Sequence, residues 1–179
     1  DPPEGFFQNC NSSPYLATGS RVDAPMPLPE WTGIERHQTN RALRSLETFG
    51  TDHSITREEF FAYKFDTEYS RESIIANVRK RYIDEITDKG IPADLEKAIE
   101  LIKHWNLNAD STNTSAALAI LTLPNAFRME DLKYNHDSVT VKLRKNIKYL
   151  NKKFGSIEVP LGRVFRLIRG NKNLPLSGG

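Results

Sequence analysis

The stretch SRESIIANVRKRYIDEITDKGIPADLEKAIELIKHW, residues 70–105, decides the fold class. Ile74, Ile75, Val78, Tyr82, Ile83 and Ile86 recur at the three- and four-residue spacing that lines one side of an α-helix. Lys89-Gly90 closes that run. Pro92 and Asp94 open another, which carries Leu95, Ile99, Ile102 and Trp105 on a common side. Two short helices with apolar sides must bury them against neighbours, so the chain reads as helices packed on one another.

The same pattern extends in both directions. Upstream, Leu43, Leu46 and Phe49 recur beside Arg36, Arg41 and Arg44, predicting a helix over 34–48 that Gly50 ends. A second helix follows, entered through Asp52, Ser54 or Thr56 as cap and carrying Phe60, Phe61 and Tyr63. Downstream, the polar turn Asn108–Thr114 precedes an Ala- and Leu-rich helix over 115–123, terminated by Pro124. A basic amphipathic helix covers 137–153, with Val139, Leu143, Ile147, Leu150 and Phe154 facing one way and a row of lysines facing elsewhere. One cationic helix reads first as a solvated face. Val159–Ile168 reads as extended, with a turn at Gly170-Asn171. At the other end, Gly5–Asn11 reads as a short strand before the Ser13-Pro14 break. The expectation is a mainly α chain with short β-strands at both ends, organised as 1–33 (strand and loop), 34–154 (helical subdomain) and 155–179 (strand and glycine-rich turn).

Composition narrows the function classes. With 25 Lys and Arg against 23 Asp and Glu among 179 residues, the net charge of +2 is no nucleic-acid footprint. No run approaches the roughly 20 apolar residues of a membrane span. Cys10 is the single cysteine, so no internal disulfide forms. His37, His53, His104 and His136 are scattered without metal-ligand spacing, and no phosphate loop or HExxH motif is present, so neither a metal nor a cofactor is expected. The start at Asp1-Pro2-Pro3-Glu4, without an initiator Met, leads us to expect a processed chain or an excised piece.

Amides are dense near Cys10. Asn11 fits the start of a turn into Ser12-Ser13-Pro14, and Asn11-Ser12-Ser13 also fits a glycan acceptor pattern. An amide held at a strand end can equally donate its hydrogens to a developing oxyanion. From these residues alone a helical structural or protein-interaction module is an open alternative to an enzyme.

Three separated stretches, read together, resemble one family. Pro2–Pro14, with Asn9-Cys10-Asn11 inside it, is similar to the β-chain segment of penicillin acylases that holds the oxyanion-hole asparagine. Glu35-Arg36-His37-Gln38-Thr39-Asn40-Arg41-Ala42-Leu43 resembles their arginine-bearing helix start, and Pro160–Arg166 with Leu174-Pro175-Leu176-Ser177-Gly178-Gly179 resembles their late strand-and-glycine block. The likeness spans essentially the whole chain.

The resemblance implies part of the αββα fold of an N-terminal nucleophile hydrolase. Its activity would be cleavage of an acyl side chain from a β-lactam, an acyl-homoserine lactone or a lipopeptide, without a cofactor. Asn11 falls on the oxyanion asparagine, Arg36 on the active-site arginine, and Arg41 is the alternative to Arg36. The chain begins with Asp1 and not with Ser, Thr or Cys, so the attacking residue is expected upstream and the isolated chain is expected to be inactive. Cys10 stands where some members carry Trp, which implies packing and not a thiol nucleophile. The implied partners are the remainder of a parent acylase (its α chain and the N-terminal part of its β chain) and a small-molecule amide substrate. The implied location is periplasmic or secreted. Unpaired strand edges would also allow an edge-mediated dimer.

Overall fold

Side-chain caps decide where most helices of this chain begin. The computed structural model describes residues 5–11, 13, 16–18, 29–34, 37–126 and 132–178, and the chain divides into two compact units between Asp66 and Thr67. That boundary lies within the 34–154 segment that the sequence presents as one helical subdomain.

The first unit contains a 3-10 turn at Glu30–Thr32 and two helices, α1 (Asn40–Thr48) and α2 (Arg57–Lys64). Helix α1 starts later than the predicted 34 because Thr39 is its N-cap, its hydroxyl accepting the Ala42 N–H at 3.1 Å. Of the three candidate caps for α2, Thr56 holds the position through a reciprocal box: its hydroxyl accepts the Glu59 N–H at 3.2 Å, and Glu59 accepts the Thr56 N–H at 2.8 Å. Ser54 instead donates its N–H to Asp52 at 2.9 Å. Phe49 meets Tyr63 edge-to-face at 5.2 Å and Phe60 at 6.0 Å, joining the end of α1 to α2.

The N-terminal strand expected over Gly5–Asn11 does not form; among the described residues, strands occur only near the C-terminal end. Side-chain carbonyls take the backbone donors that a ladder would need. Gln8 accepts the Cys10 N–H at 3.1 Å and Asn9 accepts the Asn11 N–H at 3.3 Å. Asn11 is also left-handed, at φ 62°, which ends any extended run.

The second unit holds α3 (Ile74–Asp88), α4 (Glu96–Lys103), α5 (Ala116–Thr122), α6 (His136–Phe154), α7 (Leu161–Val164) and an antiparallel hairpin, β1 (Arg166–Arg169) with β2 (Lys172–Pro175). Arg166 pairs with Pro175 and Arg169 with Lys172, so Gly170-Asn171 forms the two-residue turn, with Gly170 at φ 55°. The predicted extended run over 159–168 is interrupted by α7, because Leu161 is fully buried and Gly162 folds inward to donate its N–H to Ser111 at 2.8 Å.

Helix α5 is the pivot, packing on α4, α6 and α7, while α3 packs on α4. Ala116, Ala117, Leu118 and Ala119 are all fully buried, and their small side chains let the neighbouring helices come close. Asn146 of α6 donates to the Leu121 carbonyl at 2.9 Å and to the Thr122 hydroxyl at 3.1 Å, satisfying the end of α5. Tyr82, Ile99, Ile102, Leu143 and Leu150 complete the buried cluster, each removing apolar surface worth about 1.5–3 kcal/mol. Tyr134 donates its hydroxyl to Glu85 at 2.8 Å under the Arg81 guanidinium, tying α3 to the entry of α6. Burial, with the Glu85 carboxylate beside it, pushes the Tyr134 hydroxyl well above the ordinary tyrosine value.

The loop of residues 106–115 binds these pieces together. Trp105, 1% exposed, donates its indole N–H to the Asn108 carbonyl at 2.9 Å and meets Tyr69 edge-to-face at 5.7 Å. Leu161 donates its N–H to the Asn113 carbonyl at 3.0 Å, and Gly178 donates to Ala109 at 2.7 Å. A Cβ on Gly162 would lie 2.6 Å from the Pro175 Cβ and 2.8 Å from the Ser111 Cβ, so hairpin, loop and α7 meet where only glycine fits. Gly162→Ala is expected to lower stability by about 1–3 kcal/mol through overpacking, read as a lower urea midpoint at unchanged slope.

Candidate functional site

Helix α1 and the loop before it bring Asn11 and Arg41 together in the first unit. Gln8 anchors the loop: 7% exposed, it donates its side-chain amide to the Leu16 carbonyl at 2.6 Å, and its backbone N–H goes to Ala17 at 2.8 Å. The chain then turns through Asn9 and Cys10 to the left-handed Asn11, a conformation asparagine tolerates better than most residues. Thr39 serves both sides of the junction. While its oxygen caps α1, its hydroxyl hydrogen goes to the Cys10 carbonyl at 3.1 Å. The loop is thus pinned to the first turn of the helix, from which Arg41 reaches out.

Arg41 donates from Nη2 to the Asn11 Oδ1 in a charge-assisted hydrogen bond. This contact assigns the amide, because a guanidinium offers only donors and so requires the oxygen to face it. The Asn11 Nδ2 therefore points away, and among the described residues it has no hydrogen-bond partner. A cation on the carbonyl end polarises the amide and strengthens its N–H donors. Chemically, the pair can present two hydrogens to an anionic oxygen.

Arg36, the first choice of arginine from the sequence, lies outside the described residues. Thr39 and Gln8 were not singled out from the sequence as parts of this arrangement. A threonine just ahead of a helix is a legible cap signal, whereas its second bond, to a carbonyl 29 residues away, is not. The Cys10 thiol is pushed up by partial burial and only partly pulled back by the Arg41 charge, so it stays protonated at neutral pH.

No protein-family model matches this chain. Geometry and residue chemistry therefore carry the reading of the site. Among the described residues no three His, Cys, Asp or Glu side chains gather as metal ligands, and no helix is long and apolar enough to cross a membrane.

Two outcomes follow from this geometry. Thr39→Val removes both the cap and the bond to Cys10, so thermal or urea unfolding of the chain is expected to show a loss of about 1–2 kcal/mol. Cys10 is expected to react with iodoacetamide more slowly in the folded chain than in urea, with the rate rising only toward alkaline pH. Arg41→Ala should slow it several-fold further by removing the nearby charge.

Proposed function

We propose that this chain is the oxyanion-stabilising part of an amide hydrolase of the penicillin acylase type, acting on an acyl side chain of a β-lactam, acyl-homoserine lactone or lipopeptide. The observation that carries the reading is the Arg41–Asn11 contact, which holds the amide and leaves its Nδ2 group without a partner among the described residues. In the reaction, the free amine of a Ser-type first residue, encoded upstream, takes the proton from its own hydroxyl. The hydroxyl oxygen bonds to the substrate carbonyl carbon, and the carbonyl electron pair moves onto oxygen, where Asn11 donates to it. Collapse breaks the C–N bond, the amine leaves with the transferred proton, and water then hydrolyses the acyl ester to regenerate the hydroxyl.

In this account Arg41 is a positioning residue: it touches Asn11 and acts on the reacting oxygen through it. Helix α1 carries Arg41 to the site segment, and the remainder of the parent acylase supplies the attacking group and the αββα sheets. A periplasmic or secreted location belongs to the same reading.

A second reading, a helical interaction module, draws on one observation. At the C-terminal end of α2, Phe61 and the C-cap residue Phe65 stack at 6.3 Å, and Phe60, Phe61 and Phe65 are 45%, 43% and 68% exposed. Such an aromatic face suits a protein partner.

Steady-state kinetics of the parent enzyme separate the two readings. Asn11→Ala is expected to lower kcat roughly a hundredfold with little change in KM, because the lost donor acts chiefly in the transition state. Arg41→Ala is expected to lower kcat about tenfold, with partial rescue by Arg41→Lys. Arg36→Ala, measured alongside, decides between the two arginines. The isolated 179-residue chain should release no amine from any acyl-amide substrate. Wild-type turnover by the Asn11 variant would remove the hydrolase assignment.

A further inference from the structure

The outward side of α6 is a row of cations that the fold does not use. Val139, Leu143 and Leu150 are buried, which turns Lys142, Lys145, Lys148, Lys152 and Lys153 outward, and all five are exposed. Three other cations of the second unit are ion-paired: Arg144 with Asp94 at 2.9 Å, Lys97 with Glu158 at 2.6 Å and Arg81 with Glu85 at 2.8 Å. The five lysines have no ion pair among the described residues. Asp137, in the first turn, is the only acidic residue of the helix. Because the whole chain carries just +2, this helix concentrates positive charge on an otherwise slightly acidic molecule.

Two further residues share that side. Val141 is 67% exposed and Tyr149 43% exposed, and a shallow depression of about 360 Å3 lies among Val141, Arg144, Lys145 and Lys148. Lys142 to Lys153 spans about 16 Å at the helical rise, so the amines are spread along three turns of the outward side.

We infer that this side of α6 docks peripherally on an anionic phospholipid surface. The choice of partner follows from charge and chemistry. A nucleic-acid strand is tracked by a basic groove with several stacking aromatics, whereas the exposed side of α6 offers its lysines with one exposed aromatic, Tyr149. Lysine point charges adsorb diffusely to a charged surface, and the one guanidinium on this helix, the fork suited to single phosphates, is already committed to Asp94. Tyr149 and Val141 sit where a headgroup-level aromatic and a small apolar contact would reach the boundary of the acyl region. The apolar side of α6 stays in the core, so the helix adsorbs without inserting.

The test is co-sedimentation of the 179-residue chain with vesicles of phosphatidylcholine alone or mixed with phosphatidylglycerol. Binding is expected only to the mixed vesicles and should disappear at high salt. The Lys145→Glu/Lys148→Glu/Lys152→Glu variant should bind about a hundredfold more weakly with unchanged circular dichroism. Tyr149→Ala, a milder change, should weaken binding a fewfold and keep the salt dependence. Failure of the wild-type chain to bind anionic vesicles at low salt would overturn the inference, as would full binding by the triple variant. Preferential retention by duplex DNA or an acidic peptide over the mixed vesicles would overturn it as well.

Discussion

Asn113 is the residue on which the second unit turns. Its side-chain oxygen accepts from the Ser115 N–H at 3.0 Å, the Ser115 hydroxyl at 2.9 Å and the Ala116 N–H at 3.2 Å, so it starts α5 where Ser115 itself makes no cap bond. Its amide hydrogens go to Asn106 at 3.0 Å and to the Asn108 carbonyl at 2.9 Å. Its backbone carbonyl receives Leu161. One residue thus satisfies the helix entrance, closes the loop that carries the Trp105 partner, and fixes where α7 begins. A polar loop can sit against a dry core only when its backbone groups are paired internally, and this amide supplies the pairing.

Thr39 plays the corresponding part in the first unit. A single hydroxyl holds a helix start with its lone pair and a distant loop with its hydrogen, so the site segment and the helix carrying Arg41 are placed by one group. The consequence for chemistry is directional. Left-handed backbone at Asn11 and a cation at its carbonyl end leave one end of the amide for a ligand. Preorganisation of this kind is what makes a hydrogen-bond donor useful to a transition state, because no reorientation is needed when charge develops.

The helices were legible in the sequence because burial repeats at helical period. Ile75, Val78, Tyr82 and Ile86 of α3, and Ile99 and Ile102 of α4, are buried as the spacing requires. Thr56 could be told from Asp52 and Ser54 only through Glu59, which completes the reciprocal box. The opening segment misled: an alternating pattern with Phe6, Gln8 and Cys10 on one side looks like a strand, but Gln8 and Asn9 spend their carbonyls on backbone donors two residues on. Of the site, Asn11 and both arginines were candidates from sequence; the contact with Arg41 depends on Thr39 bringing together positions some 30 apart.

The sequence by itself determined helices α3 to α6, the sides they bury and the turn at Gly170-Asn171, because each rests on neighbours within one or two turns of chain. Only the tertiary structure decided that α7 interrupts the C-terminal extended run, that Gly162 must be glycine, and that Asn11 faces Arg41. Those outcomes depend on close approach and hydrogen bonding between residues far apart in the chain, and a local pattern carries no record of which distant atom will arrive.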